Sequence, residues 1–175
     1  MNGITLITGG ARSGKSHYAL TLARQYPVPR AFIATAEPFD DDMCRRIERH
    51  RQERADDFAT SESPLNLAET LAALPSETHI AVLDCLTVWL GNLMHHNPDT
   101  AEPYAQIGPF MDRLERPPCD LIVVTNEVGM GVVPHNGLAR RFRDEAGRLN
   151  QRVAAKAHRV IMMVSGYPLM VKESG

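Results

Sequence analysis

The 175-residue chain is 43% hydrophobic and balances 19 Lys and Arg residues against 21 Asp and Glu residues, for a formal net charge of −2. This length suits one domain over 1–175, which buries roughly 70% of its unfolded surface, and the charge argues against a nucleic-acid binder, which carries a basic face. The first residues lack the basic and apolar segments of a signal peptide, and no apolar run is long enough to span a membrane, so we expect a cytoplasmic protein. Cys44, Cys85 and Cys119 match neither a disulfide framework nor a paired-thiolate metal site, and we expect reduced thiols.

Short apolar, β-branched runs alternate along the chain with longer helical patterns. This alternation is typical of an α/β fold with a mainly parallel sheet and helices on both faces. Strands are predicted at 3–8, 30–35, 79–84, 120–125 and 159–164, with a short further strand at 168–172. Helices are predicted at 14–25, 39–54, 64–73, 86–96, 103–115 and 136–157.

The first predicted strand runs directly into a glycine-rich sequence with the spacing G-x-x-x-x-G-K-S, namely Gly9-Gly10-Ala11-Arg12-Ser13-Gly14-Lys15-Ser16. In such a P-loop the backbone amides turn inward around a phosphate, and the N-terminus of the following helix adds partial positive charge. Lys15 is predicted to reach the β- and γ-phosphates and Ser16 to offer its hydroxyl to Mg²⁺. The sequence therefore predicts a P-loop enzyme that binds a purine nucleoside triphosphate with Mg²⁺.

Two acidic residues follow later hydrophobic strands. Asp84 ends the run Ile80–Asp84 and is predicted to hold Mg²⁺ directly or through water; the alternative is that it caps the helix beginning near Cys85. Glu127 follows the strand at 120–125, and ligands of an open α/β sheet bind at that edge. Two interpretations fit Glu127: a role in catalysis or beside the metal, and a structural role.

The helix at 39–54 carries a histidine on the face that is predicted to point inward. Helical spacing puts four side chains on that face: Met43, Ile47, His50 and Arg54. A neutral imidazole can act as a general base or attack phosphorus to form a phosphoramidate, and Arg51 and Arg54 would neutralise phosphate charge. The alternative is a solvated basic face with one structurally satisfied histidine.

Several stretches together resemble the bifunctional adenosylcobinamide kinase/adenosylcobinamide-phosphate guanylyltransferase family of cobalamin biosynthesis. They are the P-loop with Thr8, Ile33-Ala34-Thr35-Ala36, Asp42-Met43, Arg46-Ile47, His50-Arg51, Thr125–Pro134, Leu138–Asp144 and Gly147–Gln151. The resemblance runs from end to end of the chain. Many P-loop proteins share the first motif, whereas the string from Thr125 to Gln151 is far more specific.

The resemblance implies a RecA-like P-loop NTPase fold, a homotrimer and two reactions on one corrinoid. In the first reaction, ATP or GTP phosphorylates the aminopropanol hydroxyl of adenosylcobinamide. In the second, GTP donates GMP to that phosphate, which releases pyrophosphate and gives adenosylcobinamide-GDP. The family passes the GMP through a histidine, and His50 stands at the matching position.

The resemblance also implies a set of site residues. His50 and Lys15 are the expected catalytic residues, and Ser16 and Asp84 the expected Mg²⁺ ligands. The expected nucleotide contacts are Gly9, Gly10, Ala11, Arg12, Ser13, Gly14, Lys15, Ser16, Ala34, Thr35, Ala36, Arg51, Gln52, Glu53, Arg54, Glu62 and Asp84. Asn126, Glu127 and residues 142–144 are candidates for a corrinoid pocket built across subunits.

Two other functions are compatible with the motifs. One is a P-loop ATPase, or a kinase for another small hydroxyl compound, that uses the same phosphate loop without covalent chemistry at His50. The other is a nucleotide-dependent regulatory or binding module without transfer chemistry. Covalent labelling of the protein by GTP separates these alternatives from the bifunctional enzyme.

Overall fold

The computed structural model of the chain describes residues 2–98 and 104–173 and contains a seven-stranded sheet. The strands are β1 (Ile4–Gly9), β2 (Arg30–Ala34), β3 (Ala59–Glu62), β4 (Ile80–Asp84), β5 (Asp120–Val124), β6 (Arg159–Val164) and β7 (Tyr167–Glu173). The helices are α1 (Lys15–Ala23), α2 (Asp41–Arg54), α3 (Leu67–Ala72), α4 (Leu86–His96), α5 (Ile107–Arg113) and α6 (Gly137–Lys156), with a 3-10 helix at Ala55–Asp57.

The strands lie in the order β3-β2-β4-β5-β1-β6-β7, with β1 flanked by β5 and β6. The first six are paired in parallel, and only β7 runs antiparallel to its neighbour β6. Parallel strands bring their carboxyl ends to one edge of the sheet, which is the ligand-binding edge of open α/β folds. The segments that follow β1, β2, β3, β4 and β5 therefore meet there.

Each face of the sheet has its own hydrophobic core. Leu6 points into the core that also holds the aromatic pair Trp89 and Phe110, whose ring centroids are 5.1 Å apart. Its neighbour Ile7 points into the opposite core with Leu20 of α1. Alternating side chains of one strand are thus buried on both sides, which confirms the predicted sheet with helices on both faces.

The predicted elements occur, with ends displaced by a few residues. The helix predicted at 64–73 begins only at Leu67, and the one predicted at 103–115 covers Ile107–Arg113, with residue 103 outside the described residues. Strand β3 was not predicted. No helix among the described residues combines the length and apolar character needed to cross a membrane.

Candidate active site

A cleft of about 1080 Å³ opens at the carboxyl edge of the parallel strands. Its walls come from the P-loop, from α2 and from the segments that end β2, β3, β4 and β5. Residues 11–16 line it together with His50, Glu62, Asp84 and Glu127. The topology thus brings into one cavity residues that are more than 100 positions apart in the chain.

The P-loop rests against the turn between β6 and β7. Gly9 has φ 141°, and a Cβ at this position would lie 2.5 Å from the carbonyl oxygen of Met163. The amide of Gly166 donates to the carbonyl of Ser13 at 3.0 Å. Glycine is required at position 9 both by the backbone conformation and by the close strand.

Lys15 is the first residue of α1, and only 7% of its surface is exposed. Its Nζ donates to the carbonyl of Gly10 and, at 3.4 Å, to Oγ of Ser13. Burial lowers the pKa of Lys15, while the nearby Cys85 and Asp84 act in the opposite direction. The lysine is therefore held within the phosphate loop, where an anionic ligand would favour its charged form.

Asp84 ends β4 and presents an unsatisfied carboxylate oxygen. Its Oδ2 is buried and has no hydrogen-bond partner among the described residues, and Nδ1 of His50 lies 4.0 Å from it. Cys85 is the residue that caps α4, because its Sγ accepts from the amide of Val88 at 3.5 Å. The alternative that Asp84 caps this helix is therefore wrong.

The same carboxylate meets the chemical requirement for a hard cation. A buried, unpartnered carboxylate oxygen is costly unless a cation or a donor satisfies it, and Mg²⁺ prefers oxygen ligands. Ser16 offers a hydroxyl in the same cleft. Among the described residues no group of three or more His, Cys, Asp and Glu side chains is placed to hold a metal ion.

Cys85 lies beside Asp84 and lines the cleft. Burial, followed by the charge of Asp84, raises the pKa of its thiol to about 12. The thiol therefore stays protonated at neutral pH and does not act as a nucleophile. All three cysteines are free, as predicted, although Cys44 is exposed.

Helix α2 directs toward the cleft the four side chains that were predicted to share one face. Met43, Ile47, His50 and Arg54 all line it, and the Arg54 guanidinium lies 4.1 Å from the centroid of the Phe32 ring. Asp40 starts the helix by accepting from the amide of Met43 at 2.7 Å. The inward orientation predicted for His50 is thus confirmed.

The remaining predicted nucleotide contacts take different positions. Arg51 forms an ion pair with Glu62, and both residues line the cleft. Gln52 is exposed and donates to Glu48 at 3.2 Å, and the side chain of Glu53 lies outside the described part of the structure. Arg51 and Glu62 are therefore the members of this group that face the cavity.

The segment after β2 contributes to the cleft unevenly. Ala34 and Ala36 line the cavity, whereas Thr35 is fully buried. The Thr35 hydroxyl donates to the carbonyl of Cys85 at 2.9 Å and accepts from its amide at 2.8 Å. Thr35 thus ties the end of β2 to the end of β4 and holds the backbone beside Asp84.

Asn126 and Glu127 both line the cleft at the end of β5. Oε1 of Glu127 accepts from the Thr8 hydroxyl at 2.6 Å and from Nδ2 of Asn150 at 3.3 Å. Sequence reasoning did not single out Thr8 or Asn150 as site residues. Their polar side chains among buried neighbours were the one available signal.

The third candidate for a corrinoid pocket, residues 142–144, lies apart from the cleft. Phe142 packs against the core around Trp89, and Arg143 pairs with the adjacent Asp144 at 2.8 Å. None of the three lines the cavity described above. Within one copy of the chain, the structure does not bring this region together with the other predicted site residues.

The family model for cobinamide kinase / cobinamide phosphate guanyltransferase matches residues 5–171. The chain is 41% identical over 167 residues to the bifunctional adenosylcobalamin biosynthesis protein CobP of Pseudomonas aeruginosa, covering 95% of the chain and 96% of that protein. It is 38% identical over 179 residues to the bifunctional adenosylcobalamin biosynthesis protein CobU of Escherichia coli, covering 95% and 98%.

Solved structures resemble the chain in fold at low sequence identity. The flagellar accessory protein FlaH from Methanocaldococcus jannaschii superposes with a TM-score of 0.57 at 11% identity over 98% of this chain and 79% of that one. An ATPase of the type III secretion system of pathogenic bacteria gives 0.58 at 11% identity over 93% and 51%. The predicted RecA-like P-loop NTPase fold is confirmed, and the chain belongs to the cobinamide kinase / cobinamide phosphate guanyltransferase family of bifunctional kinase and guanylyltransferase enzymes.

Proposed function

We propose that this enzyme phosphorylates adenosylcobinamide with ATP or GTP and then transfers GMP from GTP to adenosylcobinamide phosphate through His50. The observation that carries the proposal is the shared cleft: the P-loop lysine and the imidazole face one cavity, and Nδ1 of His50 lies 4.0 Å from Asp84. A single bound triphosphate can therefore meet both groups.

In the kinase step the P-loop residues Gly9 to Ser16 hold the triphosphate. Their amides and the start of α1 face the β- and γ-phosphates, and Lys15 supplies the positive charge. When bound, Mg²⁺ held by Ser16 and Asp84 would neutralise the charge that develops on the phosphate oxygens. The corrinoid hydroxyl then attacks the γ-phosphorus in line with the departing nucleoside diphosphate.

In the transferase step His50 attacks the α-phosphorus of GTP. In the neutral tautomer with its proton on Nδ1, that nitrogen faces the Asp84 carboxylate. The lone pair of Nε2 is then available as the nucleophile. A bond from nitrogen to phosphorus forms, the bond to the β-phosphate oxygen breaks, and pyrophosphate leaves. The phosphate of adenosylcobinamide phosphate then attacks the same phosphorus, takes the GMP and releases the imidazole.

The other nucleotide contacts that we propose lie along the rim of the cleft. Ala34 and Ala36 form part of its wall with the buried Thr35 behind them, and Arg51, Arg54 and Glu62 face the rest of the nucleotide. The side chains of Arg51 and Arg54 suit phosphate oxygens because a guanidinium presents several N–H donors in one plane. Asn126 and Glu127 face the corrinoid side.

We further propose a cytoplasmic homotrimer. Exposed apolar side chains on two segments support association between copies: Val132 is 93% exposed in the loop after β5, and Tyr167 is 78% exposed on β7. Large apolar side chains gathered on a surface mark a contact with another protein. We also propose that residues 142–144 contribute to the corrinoid pocket of a neighbouring copy.

The direct test is covalent labelling. The purified protein is incubated with α-³²P-GTP and Mg²⁺, and the label on the denatured chain is assayed for acid lability and base stability, as expected of a phosphoramidate. We expect His50→Asn to abolish the label while phosphorylation of adenosylcobinamide from γ-labelled ATP persists. The matched control is His79→Asn, since His79 is exposed and does not line the cleft.

Two results would contradict the proposal. An unlabelled wild-type protein that still phosphorylates a small hydroxyl compound would favour a kinase without covalent chemistry. A His50→Asn protein that keeps its label would move the nucleophile to another residue.

A further inference from the structure

We propose that Glu127 is the general base that takes the proton from the corrinoid hydroxyl in the kinase step, and that Thr8 positions it. This inference rests on the proposed function. It gives a role to a carboxylate that takes no part in the phosphate binding by the P-loop or in the attack by His50 described above. It also predicts that the two reactions of the enzyme differ in their need for this residue.

The first argument is where Glu127 lies. Its amide donates to the carbonyl of Gly9 at 3.1 Å, so the residue is bound by its backbone to the first residue of the P-loop. Its side chain lines the cleft together with Lys15 and Asp84. A carboxylate beside the loop that holds the terminal phosphates is within the region that the attacking hydroxyl has to enter.

The second argument is the way its carboxylate is held. Two hydrogen bonds, from Thr8 and from Asn150, end on the same carboxylate oxygen, Oε1. Asn150 is itself fixed, because its Oδ1 accepts from the Thr125 hydroxyl at 2.7 Å and its Nδ2 donates to the carbonyl of Asn126 at 3.0 Å. Donors on Oε1 fix the orientation of the group, and the second oxygen is left to accept a proton from a donor in the cleft.

The chemistry of the step needs such a group. As the hydroxyl oxygen attacks, its bond to the γ-phosphorus forms, and the bond from that phosphorus to the β-phosphate oxygen breaks. The hydroxyl proton passes to Glu127, and the nucleoside diphosphate leaves with the bonding electrons. The proton then departs to solvent, which returns Glu127 to the carboxylate.

Guanylyl transfer has no such requirement. The attacking imidazole uses a lone pair, and the acceptor in the last step is a phosphate monoester, which is mostly dianionic above its second pKa of about 6. Neither nucleophile has a proton that must be removed. Glu127 should therefore matter for the kinase step and be dispensable for guanylylation.

The experiment compares Glu127→Gln with wild type in three assays at about pH 8. These are phosphorylation of adenosylcobinamide, covalent labelling by α-³²P-GTP and GMP transfer to adenosylcobinamide phosphate. Glutamine keeps an oxygen to accept from Thr8 and Asn150 but is not basic. We expect the kinase kcat to fall by about 10²–10⁴-fold with little change in KM, and both guanylyl reactions to stay within about twofold.

The guanylyl reactions also report whether the variant is folded, and Glu69→Gln provides a matched control. Glu69 is an exposed residue of α3 outside the cleft, so all three rates should be unchanged. Equal losses in all assays would overturn the proposal and assign Glu127 to the nucleotide or its metal. An unaffected kinase rate would overturn it too.

A wild-type enzyme without kinase activity would refute the proposed function and this inference together. Failure of the proposed function is therefore recognised with the wild-type enzyme, before any variant is made. The distinct failure of the inference is an active wild type whose kinase and guanylyl rates respond alike to Glu127→Gln.

The positioning role of Thr8 has its own readout. Thr8→Val keeps the branched shape in β1 but removes the donor to Oε1, and we expect a kinase kcat about tenfold lower at unchanged KM. Thr8→Ser restores the hydroxyl and should restore kcat. Loss of kinase activity in Thr8→Val that serine does not rescue would show a packing effect and would overturn the positioning role.

Discussion

The P-loop and helix α2 hold the two reactive groups of the cleft in very different ways. The P-loop follows the central strand β1 and is backed by the β6–β7 turn through the amide of Gly166. In helix α2, Arg54 at the C-terminal end is the one buried residue among those whose side chains are described, and its guanidinium packs over the ring of Phe32. The P-loop is therefore anchored to the central sheet, while the helix that carries His50 is buried mainly at its C-terminal end, at Arg54.

This difference suits the two uses of a bound triphosphate that we propose for the enzyme. The proposed kinase step needs the γ-phosphorus in line with the corrinoid hydroxyl, whereas the proposed guanylyl transfer needs the α-phosphorus in line with the His50 imidazole. A phosphate loop held by the sheet and a histidine on a less buried helix suit both demands. A locally weak element can move without loss of the global fold.

The largest expected effect comes from breaking the fixed side of this comparison. Lys15→Ala removes the buried ammonium from the P-loop, and we expect both kinase and guanylyl turnover to fall by about 10²–10³-fold. Steady-state assays of both reactions measure it. Lys156→Ala, which removes only the ion pair with Glu115, should leave both rates within about twofold. A variant that lost one activity and kept the other would show that the two reactions do not share this phosphate site.

A second substitution tests how firmly the loop is seated. Gly9→Ala puts a methyl group 2.5 Å from the Met163 carbonyl in a backbone conformation with φ 141°, so we expect a loss of about 2–4 kcal/mol in unfolding free energy. Thermal and denaturant unfolding measure it. Gly10→Ala is the matched control, because no atom lies within 4 Å of its added Cβ. Equal costs for the two variants would mean that the strand behind the loop does not constrain it.

The smallest effect should appear in α2. Asp40→Ala removes the side chain that caps this helix, worth about 1 kcal/mol, and we expect faster amide exchange in α2 with little change in global melting. Hydrogen exchange resolved by mass spectrometry measures it. Asn136→Ala removes the equivalent cap of α6 and should leave exchange in α2 unchanged. A fall in global stability by the full cost of the cap would show that α2 is as firmly integrated as the P-loop.

Periodic and motif-bearing parts of the fold could be predicted from the sequence. Runs such as Leu121–Val124 are buried on both faces, and G-x-x-x-x-G-K-S has one structural setting, so strand, loop and helix followed directly. The strand Ala59–Glu62 could not be predicted, because this edge strand is short, exposed and without apolar alternation. Its pairing with β2 depends on tertiary contacts, which the β-propensities of its residues do not reveal.

The site divides in the same way. Helical spacing predicted that His50 points inward, but not that its Nδ1 lies 4.0 Å from Asp84, because that distance depends on how α2 sits over β4. The hydrogen bond from Thr8 to Glu127 joins residues 119 positions apart. Local patterns contain no information about such a pair until the strand order is known, and β1 and β5 become neighbours only in the folded sheet.

The contact between Ser13 and Gly166 has a consequence for biosynthesis of the chain. The P-loop is synthesised early, whereas the turn that supports it through Gly166 is synthesised about 150 residues later. A nascent polypeptide would therefore carry an unsupported loop until residues 159–173 had emerged. We therefore expect the chain to bind nucleotide only late in translation, once the β6–β7 turn contacts the P-loop.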